Sequence, residues 1–139
     1  MKSILLFLIL ALKIFPQDLS VPDIDHQPKN LEEAIAQLDV VYPDSIKTKI
    51  IEMDENEFLK NTHFTTGRFI RNEWLYDRFL GFNIGDSDLK EQLFAMGIPT
   101  NDDMSSFILR TYYRHLTKQE LKVEQQIIEI QNYYINLNK

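Results

Sequence analysis

HFTTGRFIRNEWLYDRFLGF, running from His63 to Phe82, is the stretch whose reading decides the fold. It holds three of the five arginines, the only tryptophan and four of the nine phenylalanines. At about 100° per residue, His63, Gly67, Ile70, Arg71 and Trp74 share one side of a helix. Phe64, Arg68, Leu75 and Phe79 fall on the next side, and Phe69, Tyr76 and Leu80 on the third. A helix with apolar residues all round is normally buried among other helices. The spacing therefore predicts a buried central helix over about 63–80. Charged side chains on such a helix are costly unless paired or held near water. That makes Arg68, Arg71 and Asn72 its polar puzzle.

The segments on either side read as helices packed round this one. Asn30 followed by Glu33 is a capping-box-like start, and Leu31, Ala34, Ile35 and Leu38 then keep helical spacing. Pro43 and Asp44 open a second helix through Ile46, Ile50, Ile51 and Met53. Asp54 and Glu57 repeat the cap pattern ahead of Phe58 and Leu59. Beyond the central stretch, Gly81 and Gly85 bracket a turn, and Asp86 or Ser87 caps a helix that Gly97 ends. Thr100 or Asn101 starts the helix containing Met104 to Leu116, and Thr117 with Glu120 opens a last helix reaching Tyr134. On that last helix Glu124 and Gln131 lie between two apolar stripes, so Glu124 is expected to face inward and to want a cation. With no strand alternation of useful length, the expectation is an all-α, compact bundle of five to seven helices.

Length and composition agree with a single domain. The chain has 139 residues, 44% of them hydrophobic and 12% aromatic, which is enough to build a core. It contains no cysteine, which excludes disulfides, thiol catalysis and thiolate metal sites. The net charge of −6 speaks against nucleic acid as a partner, since that role needs a basic face. From Asp18 to Asn61 there are eleven acids against four lysines. Most of these acids fall at predicted helix N-termini, where the dipole favours them.

Residues 1–17 read as a signal peptide. Lys2 precedes Ile4–Leu12, nine unbroken apolar residues, which is signal-like and too short to span a bilayer. Residues 18–29, with Pro22 and Pro28, read as a linker, and 30–139 as one helical domain. Loss of residues 1–17 removes two lysines and no acid, taking the net charge from −6 to −8. The expected location is secreted or periplasmic, with no membrane span once the signal is gone.

No catalytic motif is found, and no cofactor or metal is expected. The three histidines have no H-E-x-x-H or i, i+4 pairing, and G-x-S-x-G is absent. GFNIG lacks the phosphate-loop pattern and follows a predicted helix instead of a strand. His63 with Asp102 or Asp103 would make an acid–base pair; a histidine packing at a helix start is the commoner role. Arg110 and Arg114, four apart, have the spacing to grip an anion, although such pairs more often line a solvated face. The candidate binding or buried polar cluster is therefore His63, Arg68, Arg71, Asn72, Trp74, Asp103 and Glu124. Within it, Arg71 is expected to meet a carboxylate: Glu124, Asp102 or Asp103.

The motifs HFTTGRFIRNEWLY, GIPTNDDMSS and YYRHL with EQQI, preceded by LEEAIAQLD, resemble a family of small bacterial proteins carrying a domain of unknown function. The resemblance runs from about Leu31 to Tyr134. It implies a secreted or envelope protein and supplies no activity. Relatives often carry a Gly between the RN-W core and the next Leu-aromatic pair, whereas Trp74, Leu75 and Tyr76 are contiguous here. The expected function is a non-enzymatic helical domain binding a protein or a small anionic ligand. The alternatives are an acidic, inhibitor- or immunity-like protein, or a small hydrolase with a site around His63 and Arg71.

Overall fold

The computed structural model of the chain describes residues 27–139. The expected signal segment, and the linker up to residue 26, lie outside the described residues. Gln27 and Pro28 already lie against the body. Pro28 is buried, and the Gln27 amide donates to the carbonyls of Glu73, Trp74 and Tyr76 at 3.1, 3.2 and 2.8 Å.

Helix α1 (Leu31–Val41) begins where Asn30 accepts from the Glu33 N–H and Glu33 accepts from the Lys29 N–H, both at 2.9 Å. Ala34, Ile35 and Leu38 form its buried face. Helix α2 (Asp44–Glu52) buries Ile46 and Ile50, while Ile51 stays exposed. In α3 (Glu55–Thr62), capped by Asp54 on the Glu57 N–H, Phe58 and Thr62 are inside. A short helix α4 (Thr66–Phe69) runs directly into a π turn over Ile70–Trp74. The Leu75 N–H bonds to the Ile70 carbonyl at 3.2 Å, the five-residue step of that turn.

At Leu75 the helix stops, well short of the expected end at residue 80. Tyr76–Phe79 form strand β1, paired antiparallel with β2 (Phe82–Asp86). Leu80 and Gly81, at φ 48° and 83°, make the two-residue turn between them. Both angles are positive, which is the twist a tight hairpin needs. Asp77 pairs with Gly85 and Arg78 with Asn83, so Ile84 is an extra residue bulging from β2. The all-α expectation is thus corrected to a mostly helical fold with a small two-stranded sheet. The reason is local: Gly81, Asn83 and Gly85 lower the helix propensity of the segment, and Leu80 and Gly81 take the positive φ that turns the chain back on itself.

Ser87 caps α5 (Asp88–Ala95), which buries Leu89 and Leu93. Thr100 caps α6 (Asn101–Leu116). This helix is the hub, and α1 to α5, the π turn and the last helix all pack on it. Met104, Ser105, Phe107, Ile108, Leu109, Thr111, Tyr112 and Tyr113 are buried along it. The central position expected for 63–80 thus belongs to 101–116. Thr117 closes α6 instead of opening the next helix, because its hydroxyl bonds back to the Tyr113 carbonyl at 2.8 Å. The last helix, α7 (Val123–Leu137), rests on the body through Val123, Ile127 and Ile130. There are seven α-helices among the described residues.

Candidate functional site

Arg71 stands in the π turn, one helical turn after Gly67. A Cβ on Gly67 would lie 3.1 Å from the Arg71 guanidinium and 3.2 Å from the Thr62 carbonyl, so the glycine makes room for the arginine of its own chain. All three guanidinium nitrogens are engaged. Nη2 donates to the His63 carbonyl at 3.0 Å, Nη1 to Ser105 Oγ at 2.9 Å, and Nε sits 3.2 Å from Asp102 Oδ1. Ser105 is buried and its hydroxyl donates in turn to the Asp102 carbonyl at 3.0 Å. One side chain thereby ties the turn after α3, the π turn and the first turn of α6 together. Asp102 was among the three carboxylates expected for it. The Arg71 side chain is 15% exposed and that of Asp102 72%, so the pair is wet on one side.

The other candidates disperse. Trp74 is buried, 2% exposed, with its ring edge-on to Phe69 at 5.7 Å. Its carbonyl accepts from the Ser87 hydroxyl at 2.6 Å, which pins the foot of the hairpin. Arg68 and Asn72 are exposed. His63 is half-buried, with its ring edge-on to Phe64 at 4.6 Å. The acids considered for it are taken: Asp102 by Arg71, and Asp103 Oδ2 by Thr100 and the Tyr134 hydroxyl at 2.5 and 2.7 Å. The carboxylate that Tyr134 donates to also holds its hydroxyl above the usual phenol value. Glu124 is exposed, contrary to the inward placement expected. With α7 starting at Val123, the stripe Val123/Ile127/Ile130 turns inward, and Gln126 takes the buried polar position. Its amide donates to the Leu121 carbonyl at 2.8 Å and Thr111 Oγ1 at 3.3 Å.

The Arg110/Arg114 pair does hold an anion, but an internal one. Arg114 grips Glu55 of α3 through Nε at 2.7 Å and Nη2 at 3.2 Å, and Arg110 Nε lies 3.2 Å from the same carboxylate. On the other side of the hub, burial pushes the Tyr42 phenol up to about 12, with the hydrogen bond to Thr66 pulling the other way. Among the described residues no three His, Asp or Glu side chains are placed to hold a metal ion. None of the described helices is long and apolar enough to cross a membrane.

What the sequence reading missed is the hairpin. Phe79, Leu80, Phe82 and Ile84 are between 64% and 81% exposed, four large apolar side chains at one protruding tip. Arg78 braces them, donating to Glu73 at 2.7 Å and to the Gly81 carbonyl at 2.9 Å. Leucine–glycine ahead of a second phenylalanine was the available signal, and it is weak beside the Asn-Gly of a typical hairpin turn.

The family model for DUF6794, a domain of unknown function, matches residues 27–116. The chain belongs to this family. The DUF6794 match opens at Gln27, the first residue seen against the body, and closes with Leu116 at the end of the hub helix. It covers the Arg71 cluster and the hairpin and leaves out α7, although the expected resemblance ran on to Tyr134. No curated protein and no solved structure matches the chain.

Proposed function

We propose that this chain is a non-enzymatic, exported domain that binds a protein through its β-hairpin. The observation that carries the reading is the exposure of Phe79, Leu80, Phe82 and Ile84 together at the tip. Monomeric proteins rarely show contiguous apolar patches beyond a few hundred Å² without a use for them. Leu80 adds weight to the argument. A non-glycine, non-asparagine residue at φ 48° costs roughly 1 kcal/mol in backbone strain, and this one also holds its side chain in water. A residue that breaks two local rules at once is the kind retained for function. The small-anion and hydrolase alternatives draw less support, since the Arg71 donors, Asp102 and Asp103 already serve one another and the fold.

A photo-crosslinking amino acid in place of Phe82, in the chain expressed in its producing cell, tests this. Protein adducts are expected that do not form from the same group at the exposed Lys118. Equal labelling from both positions would remove the hairpin as the binding element.

A further inference from the structure

The foot of the hairpin restricts what can dock on its tip. Residues 73–91 carry five acids, Glu73, Asp77, Asp86, Asp88 and Glu91, against two bases, Arg78 and Lys90. Both bases are already neutralised in place, Arg78 on Glu73 and Lys90 on Asp86, each at 2.7 Å. Asp77, Asp88 and Glu91 are left exposed. This short span therefore holds −3 of the net −5 carried by residues 27–139. Between Phe79 and Gly85 no residue is charged. Asp77 and Asp86 stand at the foot of the hairpin and Asp88 and Glu91 follow in the first turn of α5, so an uncharged apolar knob at the tip is flanked in the chain by a negative collar.

Building on the protein-binding reading, we infer that the partner presents an apolar pocket or groove rimmed by lysine or arginine. The alternatives fit the same features worse. A second copy of the chain would bring one negative collar against another, and like charges across an interface are disfavoured. An anionic bilayer meets the same repulsion, and hydrocarbon would also have to cover the outer edges of a two-stranded sheet, which no further strand joins. A basic-rimmed protein pocket buries the knob and neutralises the collar in one step. The brace from Arg78 to Gly81 and Glu73 presents the knob already ordered, which lowers the entropy cost of docking.

The test uses the full chain and two synthetic amphipathic helical peptides with the same leucine face, one flanked by lysines and the other by glutamates. Calorimetry is expected to show the lysine peptide binding at least about tenfold tighter than its twin, with an affinity that falls as salt rises. Phe79→Ser and Phe82→Ser are each expected to weaken the lysine peptide by about tenfold or more, as loss of a central anchor does. Asp77→Asn should weaken it severalfold. Ile128→Ser, on the exposed face of α7, should leave it unchanged. Far-UV dichroism and Trp74 emission confirm that each variant is folded. Equal binding by the wild type and the two phenylalanine variants overturns the inference. So does hairpin-dependent self-association in sedimentation, or hairpin-dependent binding to phosphatidylcholine or phosphatidylglycerol vesicles in place of the peptide. If residue 82 crosslinks to protein in the cell while the lysine peptide is not preferred, the protein-binding reading stands and the basic-rim inference falls.

Discussion

Arg71 illustrates what can and cannot be read at the scale of a single residue. Its spacing from Gly67 and its need for a carboxylate are both plain in the sequence, and Asp102 was one of three acids proposed for it. That Gly67 leaves room beside the helix is also plain; what fills the room was not, because it is the guanidinium itself, folded back along its own helix. Nor was the water on the Asp102 side visible, and that changes the energetics. A fully buried pair broken by deletion costs about 3–5 kcal/mol, because the surviving charge stays desolvated. Here the Asp102 carboxylate is 72% exposed and returns to water when the arginine goes. What remains is the loss of hydrogen bonds to the His63 carbonyl and to the buried Ser105. Arg71→Ala is therefore expected to cost about 2 kcal/mol, measured by urea denaturation. Arg71→Lys should recover only part of this, since one ammonium cannot reach three partners in the geometry of a planar fork. A loss of 4 kcal/mol or more would show that the pair behaves as buried.

Among the elements, those whose ends are set by local chemistry were legible. Asn30 with Glu33 and Asp54 with Glu57 each cap the helix the sequence assigned to them, and Thr100, one of two caps considered for α6, caps that helix. Ser87, one of two caps considered for α5, takes that place. Elements chosen by competition were not legible. Residues 63–80 and 101–116 both show apolar residues on several sides, and nothing local says which becomes the hub. The decision depends on whether Tyr76 to Asp86 continues a helix or pairs with itself, and the pairing is closed by Leu80 and Gly81, both at positive φ. Leu80 is the weak point of that pairing. Asparagine adopts the left-handed conformation far more readily than leucine, and Asn-Gly is the preferred two-residue hairpin turn. Leu80→Asn is expected to stabilise the hairpin by roughly 0.5–1 kcal/mol, seen as slower amide exchange at β1 and β2. The same change removes the most exposed apolar side chain of the tip, so partner binding should weaken while the element becomes more stable. Faster exchange in the variant would mean that Leu80 packs on something that holds the turn together.

Over the whole molecule, the boundary of the DUF6794 match at Leu116 separates a core body from an added layer. The layers α1 to α5 and the π turn already surround α6 before α7 arrives. What α7 contributes is the partial burial of Val123, Ile127 and Ile130, together with the Gln126 hydrogen bonds. Three half-buried aliphatic side chains are worth a few kcal/mol in gross transfer terms. Ordering fifteen residues of helix consumes much of that. The exposed Ile128, Tyr133, Ile135 and Leu137 return nothing to the balance while they face water. A chain ending after Lys122 is therefore expected to remain folded and to unfold cooperatively. Its stability should fall by no more than about 2 kcal/mol, a drop of roughly 10 °C or less in Tm for a body of this size. Thermal melts followed by far-UV dichroism and by Trp74 emission should coincide in the shortened chain, as they would in the full one. If the two probes separate, or the transition broadens until no single midpoint exists, then α7 is part of the cooperative core, and the end of the family match does not mark the end of the folding unit.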